Sequence, residues 1–200
     1  MEKPASVHFP IHNLLKHRWS PRAFSDRGVD PAVLRSLFEA ARWAASSYNG
    51  QPWSFIMATR GEIKAFQRIL SCFVEFNAGW AKGAPVIGIS VAKLNFEHNG
   101  SPNRHAYHDV GQAMANLAIE AVANGLQLHQ MAGILVDKAR EALSIPEGYD
   151  PVAGFALGYP GDPQNLPDQL RDRELAPSER KAADSFVFDG EWGKKSPIFA

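Results

Sequence analysis

Apolar residues recur at helical spacing in several stretches of the chain. The clearest stretch begins at Asp30, which is suited to cap a helix, and Pro31, which is suited to the first helical turn. The apolar stripe predicted for this helix consists of Leu34, Leu37, Phe38, Ala41 and Ala45. The same spacing predicts further helices over residues 11–17, 62–72 and 137–144. The longest pattern, over 105–124, is apolar on nearly every face, which predicts burial within the fold or in an oligomer interface.

Short, continuous apolar runs predict the strands. Residues 85–91 are apolar and rich in β-branched side chains, so they predict a strand at the centre of a sheet. Residues 55–58 and 152–157 predict further buried strands, and 126–134 fit either a strand or a turn. The mixture of helices and strands fits either a doubly wound fold or an α+β fold.

The last forty residues have a different character. Residues 162–180 are charged and contain prolines, which predicts an irregular segment lying over the surface. Residues 186–188 are apolar and predict an added edge strand. No repeat and no linker divides the chain, so residues 1–200 are expected to form a single domain.

Composition and charge narrow the possible functions. The 200 residues contain 21 Lys and Arg and 21 Asp and Glu, so no overall field recruits nucleic acid or an anionic membrane. Cys72 is the only cysteine, which excludes an intrachain disulfide and a multi-cysteine zinc site and fits a reducing compartment. Residues 1–10 lack the apolar core of a signal peptide, and no window is long and apolar enough to span a bilayer. A cytoplasmic protein is expected.

Arg18, Ser20 and Arg22 alternate along the chain. In an extended segment such residues line one face, and two guanidinium groups with a hydroxyl between them suit an anion, particularly phosphate. A solvated basic loop is the alternative. No G-x-G-x-x-G, no P-loop motif and no G-x-S-x-G elbow is present, so dinucleotide-binding, P-loop and hydrolase functions lack their usual anchors. A bound phosphate would therefore depend on these three residues, aided by Arg180.

Residues 46–55 lie where a helix pattern stops and a strand pattern starts. The segment Ser-Ser-Tyr-Asn-Gly-Gln concentrates hydroxyl and amide groups where a rigid scaffold presents them to a ligand, and its Gly50 is free to take a positive φ. A polar helix-to-strand loop is the alternative, because Ser, Asn and Gly also favour turns.

Two further groups of residues invite a functional interpretation. Ala132 and Gly133 allow a backbone to approach a flat ligand closely, with simple tight packing as the alternative. His105 and His108 with Asp109 suggest a metal, but capping and solvent-facing polarity explain them as well. Since no third convincing ligand is present, no metal site is expected.

These motifs together carry a resemblance. Three motifs resemble, in order and spacing, those of the nitroreductase family of FMN-dependent oxidoreductases. They are Arg18-x-Ser20-x-Arg22-x-Phe24, then Ser46-Ser47-x-Asn49-x-Gln51-Pro52-Trp53, then Gly154 to Gly158-Tyr159-Pro160. The resemblance extends from about Ile11 to Trp192. It implies an α+β fold whose central, mostly antiparallel sheet is flanked by helices. It also implies an intertwined homodimer that holds FMN at the subunit interface.

The same resemblance assigns roles to the phosphate and ring contacts. Arg18, Ser20 and Arg22 match the first flavin-binding segment, with Arg18 meeting the phosphate and Arg22 the pyrimidine edge of the ring. Arg180 matches a late phosphate-binding arginine, although Ser178 stands where some members carry a lysine.

The resemblance also assigns residues from elsewhere in the chain. The segment that arrives from the partner subunit is matched by Ser46, Ser47 and Asn49, with Gln51 just behind it. Asn77 matches an amide at the pyrimidine edge, and Ala132 and Gly133 match a backbone pair near flavin N5.

The implied activity is a ping-pong transfer of hydride from NADPH or NADH, through FMN, to a small-molecule acceptor such as a nitroaromatic or a quinone. No catalytic side chain is predicted, because the flavin carries the chemistry and the protein orients and tunes it. The alternatives are a narrow-substrate FMN enzyme that reduces an enal, a semialdehyde or flavin, and a flavin-binding protein without turnover. A small α+β domain without a cofactor is the remaining alternative.

Overall fold

The computed structural model describes residues 2–199 of the chain. Its helices are α1 (Asn13–His17), α2 (Pro31–Arg42), α3 (Ile63–Leu70), α4 (Glu75–Ala81), α5 (Ala106–Ala123), α6 (Val136–Ala142) and α7 (Asp168–Leu175). Its strands are β1 (Trp53–Thr59), β2 (Val86–Lys93), β3 (Gln127–Met131) and β4 (Tyr149–Gly158). The helices predicted over 11–17, 62–72, 105–124 and 137–144 are confirmed, with bounds that differ by one to two residues at most ends.

The four strands form one sheet in the order β1-β2-β4-β3, and every neighbouring pair is antiparallel. This arrangement confirms the α+β fold with an antiparallel sheet and excludes the doubly wound alternative, whose strands are mostly parallel. The strand predicted over 85–91 is β2, which lies inside the sheet and is buried along nearly its whole length. Residues 126–134 divide into an edge strand, β3, and a turn that follows it.

Helices cover both faces of the sheet. On one face α2 and α5 pack against Val86, Phe155 and Leu157. On the other face α3, α4, α6 and α7 pack against Ile87 and Ile89 among others. Because successive side chains of a strand point to opposite faces, the continuous apolar run of β2 supplies both cores.

Helix α2 begins where its sequence predicts. The carboxylate of Asp30 accepts a hydrogen bond of 2.7 Å from the Ala32 N–H, and Pro31 occupies the first turn. The predicted apolar stripe is correct for Leu34, Leu37 and Ala41, which are buried. Phe38 is only half-buried and packs on Phe55, and Ala45 is exposed because the helix ends at Arg42. The stripe was therefore predicted one turn too long.

The C-terminal region differs from its prediction. The segment 162–180 is not irregular throughout, because it contains α7, whose Leu170 and Glu174 are buried one turn apart. Charged neighbours conceal this helix, since only its leucines are apolar. The edge strand over 186–188 is wrong: Phe188 makes an isolated bridge to Lys195, and Phe186 is exposed. Within residues 2–199 no helix combines the length and apolarity needed to cross a bilayer.

Candidate active site

A cavity of about 950 Å³ lies between the N-terminal segment and the segment after α7. Residues 18–22 contribute one wall. The cationic side chains that line it are Lys3, Arg18, Arg22, Arg173, Arg180 and Lys181. The only carboxylates of residues 2–199 in the lining are those of Glu174 and Glu179. The structure therefore brings Arg18, Ser20, Arg22 and Arg180 to one cavity, and the excess of positive charge suits an anionic ligand.

Arg18 and Arg180 converge on this cavity without a counterion among residues 2–199. Burial lowers the pKa of the Arg18 guanidinium, and the positive charge of Arg180 lowers it further. The Nη1 group of Arg18 donates to Ser20 Oγ at 3.5 Å, and within residues 2–199 neither arginine forms a salt bridge. A phosphate group would supply the missing negative charge and the acceptor oxygens that guanidinium forks bind well.

Arg22 is held by Glu174, a residue for which the sequence pattern predicts no role. Glu174 has 1% of its surface exposed. Its carboxylate accepts the Arg22 N–H at 2.8 and 3.0 Å and the Ala23 N–H at 3.0 Å, and it lies 3.8 Å from Arg22 Nη1. The Nε of Arg22 is buried and has no partner within the described part of the chain. A cavity-lining guanidinium with an unsatisfied N–H fits a ligand that carries acceptor oxygens.

Strand β3 supports the other side of the same segment. Gln127 accepts the Trp19 N–H at 3.0 Å and donates to the His17 carbonyl at 2.9 Å. Two residues along, and so on the same face, His129 Nδ1 lies 2.8 Å from the Pro21 carbonyl, an acceptor that requires a proton on that nitrogen.

The environment of His129 keeps its imidazole neutral. Burial lowers its pKa to about 4, the hydrogen bond to Pro21 opposes the shift, and the charges of Arg22 and Arg18 add to it. The ring packs against Trp80, with ring centroids 4.5 Å apart. Sequence reasoning missed both Gln127 and His129, although their alternation with Leu126 and Leu128 was a visible signal.

Asn77 and Gly133 meet at a second location. The Gly133 carbonyl accepts from Asn77 Nδ2 and from the Val74 N–H, each at 3.1 Å. A Cβ at Gly133 would lie 2.4 Å from Asn77 Nδ2 and 2.8 Å from Val74 Cγ2, so any larger residue would displace one of these side chains or the turn. Tight packing thus explains the glycine. Its own N–H donates to no acceptor among residues 2–199 and is therefore available to a ligand.

The second location adjoins the first without sharing its lining. Among the described residues, Asn77, Ala132 and Gly133 do not line the cationic cavity. The elements that carry them nevertheless contact segments that line it. Strand β3 leads from His129 to Gly133, and Phe76 of α4 lies 5.5 Å from the guanidinium of Arg173, which does line the cavity.

The Ser46–Gln51 loop lies apart from both locations. None of Ser46, Ser47, Asn49 and Gln51 lines the cationic cavity of its own chain, as far as residues 2–199 are concerned. The Ser47 N–H donates to the Asp109 carboxylate at 3.0 Å, and Ser46 Oγ accepts the Gln51 N–H at 3.1 Å. Asp109 is 2% exposed, so it is not the solvent-facing group that its sequence context suggested.

The conformation of this loop is strained, but not at the expected residue. Gly50 has a φ of −72°, whereas Tyr48, Asn49 and Gln51 have φ of 52°, 52° and 44°. Gly50 does not use its freedom to take a positive φ, and a Cβ there would make a tight contact of 3.1 Å with the Ser47 carbonyl oxygen. Left-handed conformations at neighbouring non-glycine residues are costly and concentrate at functional sites.

The sequence model of the nitroreductase family matches residues 15–77 and 72–159. The chain belongs to the nitroreductase family. These matched ranges contain Arg18, Ser20 and Arg22, the Ser46–Gln51 loop, Asn77 and Gly133, and they end before α7.

Solved structures agree with this membership. A crystal structure described as an oxidoreductase containing FMN is 32% identical to this nitroreductase-family chain. The alignment covers 96% of this chain and 97% of that one, with a TM-score of 0.89. A nitroreductase family protein from Streptococcus pneumoniae shares the fold at 20% identity and a TM-score of 0.70, over 88% of this chain and 98% of that one.

Relatives known from sequence match this nitroreductase-family chain over only part of their own length. An uncharacterised 15.4 kDa protein of Mycolicibacterium smegmatis is 41% identical over 90 residues, which are 45% of this chain and 60% of that protein. An NADPH-dependent oxidoreductase of Staphylococcus aureus is 26% identical over 167 residues, or 78% of this chain and 66% of that protein. The matched part thus spans 60% and 66% of these two relatives.

Proposed function

We propose that this nitroreductase-family protein is an FMN-dependent oxidoreductase. It takes electrons from NADPH or NADH and passes them, in a ping-pong cycle, to a small-molecule acceptor such as a nitroaromatic or a quinone. The observation that carries the proposal is the cationic cavity, where Arg18 and Arg180 converge without a carboxylate partner within residues 2–199. Similarity to an oxidoreductase containing FMN and to an NADPH-dependent oxidoreductase supports it.

The residues of the cavity suit the phosphate end of FMN. Arg18 and Arg180 would bind the phosphate oxygens, and Ser20 would donate its hydroxyl while accepting from Arg18. Arg22 Nε is buried without a partner among residues 2–199, and it would donate to one of the remaining acceptor oxygens. Lys181 lines the same cavity and would compensate for Ser178, which stands where some family members carry a lysine.

The ring of FMN would require the second location. The free N–H of Gly133 and the neighbouring Ala132 offer backbone contacts, while Asn77 is held close by its bond to the Gly133 carbonyl. When bound, FMN supplies the transfer of electron pairs between donor and acceptor, so no acid or base from the chain is required. The chain binds the cofactor, fixes its orientation and leaves one side open to substrates.

The remaining predicted residues imply a homodimer. Ser46, Ser47 and Asn49, with Gln51 behind them, would reach the cavity of a second copy. Two features support this: the loop is exposed and strained in a single chain, and Tyr48 at its tip is 85% exposed. Helix α5, which begins close to the Asp109 anchor of this loop, also leaves Ala115 exposed on a face away from its core.

The test is the visible absorption spectrum of the purified protein, followed by anaerobic addition of NADPH and then NADH. A flavin spectrum that bleaches with either nucleotide, and recovers with a quinone or nitroaromatic, is the expected result. A flavin spectrum that neither nucleotide bleaches would instead indicate a binding protein without turnover. A colourless protein that takes up no added FMN would refute the proposal.

Arg18→Ala provides a test of the phosphate site. The loss of a charge-assisted contact is expected to cost about 1.5–3 kcal/mol, or roughly 10- to 150-fold in the dissociation constant for FMN. Arg68→Ala is the matched control, because Arg68 is exposed on α3, far from the cavity lining. Equal FMN affinity in both variants would remove Arg18 from the site.

A further inference from the structure

Glu174 occupies an unusual position for a charged residue. It lies in the last turn of α7, 1% exposed, and it also lines the cationic cavity. A buried carboxylate is costly unless hydrogen bonds or positive charges compensate it. Its compensation comes from one short segment, because the Arg22 N–H, the Ala23 N–H and the Arg22 guanidinium all face its two oxygens.

The geometry points to a role that the charge and both oxygens of a carboxylate fill better than a neutral side chain would. Both carboxylate oxygens accept from the chain, at 2.8 and 3.0 Å from the Arg22 N–H and 3.0 Å from the Ala23 N–H. Oε1 accepts from both N–H groups and Oε2 from the Arg22 N–H alone. A glutamine would keep one neutral, weaker acceptor oxygen and would place an NH₂ group against the Arg22 N–H and guanidinium. The negative charge also lies 3.8 Å from Arg22 Nη1, so it offsets part of the positive charge that Arg22 presents to the cavity.

We propose that Glu174 is a positioning residue that acts through Arg22. It fixes the backbone at residues 22 and 23, and thereby the direction of the Arg22 side chain, and it lowers the effective positive charge at that point of the cavity. The ligand is taken to be FMN, so this inference rests on the proposed function for the identity of the ligand. The positioning itself rests on the contacts of Glu174.

Glu174 also joins the separate segments that enclose the cavity. Its backbone carbonyl accepts from Lys3 Nζ at 2.7 Å, and its carboxylate holds residues 22 and 23. One residue of α7 thus contacts both the N-terminal segment and the Arg22 segment, and each contributes cations to the lining. Substitution of the carboxylate leaves the Lys3 contact with the backbone carbonyl intact. The effect of the carboxylate contacts can therefore be measured separately from that of the Lys3 contact.

The experiment compares Glu174→Gln with Asp172→Asn. Asp172 is a matched control because it removes one negative charge from the exposed side of the same helix. The first measurement is amide hydrogen exchange in flavin-free protein. Exchange at Arg22 and Ala23 should accelerate at least tenfold in Glu174→Gln and remain at the parental rate in Asp172→Asn. Unchanged exchange in Glu174→Gln would overturn the positioning role.

The second measurement is the midpoint potential of bound FMN. Reduction adds negative charge to a flavin, so a less neutralised Arg22 should favour the reduced form. Glu174→Gln is expected to raise the affinity for reduced FMN relative to oxidised FMN about tenfold. This change raises the midpoint potential by about 30 mV for a two-electron couple. The double variant Arg22→Ala/Glu174→Gln should lose this shift relative to Arg22→Ala alone. If Glu174 acted independently of Arg22, Glu174→Gln would shift the potential equally in the parent and in the Arg22→Ala variant. This outcome would overturn the inference.

Arg22→Ala keeps the test decisive should Glu174→Gln fail to fold. This variant leaves Glu174 and its backbone bonds in place, so the Ala23 amide should stay protected while the FMN potential falls. Loss of that protection, or an unchanged potential, would contradict the inference. A parent protein that takes up no FMN would refute the proposed function, and amide exchange would then decide the positioning role by itself.

Discussion

Gly133→Ala tests the junction between the turn after β3 and the start of α4. The added Cβ would lie 2.4 Å from Asn77 Nδ2 and 2.8 Å from Val74 Cγ2, well inside van der Waals contact. Either Asn77 leaves its 3.1 Å hydrogen bond to the Gly133 carbonyl, or the turn moves away from α4. Overpacking of this kind costs about 1–3 kcal/mol in the free energy of unfolding. For a chain of this length that corresponds to a melting temperature lower by about 2–12 °C.

Gly79→Ala is the matched control for this substitution. Gly79 lies inside α4, and a Cβ there would meet no atom within 4 Å. Alanine in a helix is favoured over glycine by about 0.5–1 kcal/mol, so this variant should be slightly more stable than the parent. The opposite signs follow from local space alone.

The assay is urea and thermal unfolding of both variants without flavin, at one fixed protein concentration because an oligomer unfolds in a concentration-dependent way. A second series with excess FMN would show whether displacement of Asn77 also weakens the binding of the cofactor. If Gly133→Ala were as stable as the parent, the close approach of α4 to the turn would be wrong, and with it the positions of Asn77 and the Gly133 N–H.

Other predictions concern the core, the loop anchor and pH. Leu37→Ala should cost about 2–5 kcal/mol of unfolding free energy, because Leu37 is fully buried. Phe38→Ala should cost less than the loss of a fully buried phenylalanine, because Phe38 is only half-buried. Urea denaturation measures both, and a larger loss in Phe38→Ala than in Leu37→Ala would contradict the burial of the two residues. Asp109→Asn should weaken a charge-assisted bond by about 1–3 kcal/mol and accelerate amide exchange at Ser47, and a Ser47 amide that stays protected would contradict this. His129 has a folded pKa of about 4, below its ordinary value, so the unfolded chain binds its proton first and stability falls as pH drops from about 6.5 to 4. Between these pH values the parent should lose about 3 kcal/mol of unfolding free energy more than His129→Gln does. Equal pH profiles of the two proteins would refute the role of His129.

The scaffold could be predicted because its residues follow local rules. The apolar run of β2 predicts a buried strand whatever its neighbours are, and Asp30–Pro31 marks the start of α2 through contacts within one turn. The order of the strands could not be derived from the pattern, since an apolar run does not reveal its partner. The nitroreductase resemblance supplied that arrangement, and the antiparallel sheet confirms it.

In the candidate site, too, features set by local sequence could be predicted and features set by tertiary contacts could not. The alternation of Arg18, Ser20 and Arg22 predicts a shared face, and all three line the cavity. Glu174 could not be predicted, because its importance comes from backbone groups that lie 152 residues away along the chain. The positive φ at Tyr48 and Gln51 was missed for a related reason. The loop conformation depends on the tertiary hydrogen bond from Ser47 to Asp109 and on the close approach of the Ser47 carbonyl to Gly50. These contacts outweigh the preference of glycine for positive φ.

The walls of the cavity come from both ends of the chain, and this has a consequence for how the protein acquires its ligand. Lys3 contacts Glu174 across 171 residues, and Trp19 contacts Gln127 across 108. A chain emerging from the ribosome can form β1 and β2 early, but it lacks a wall of the cavity until α7 has been synthesised. Contacts of such long separation also form late in folding, because closing long loops costs entropy first. Cofactor loading should therefore be a post-translational step, and a nascent chain stalled before residue 174 should not retain flavin.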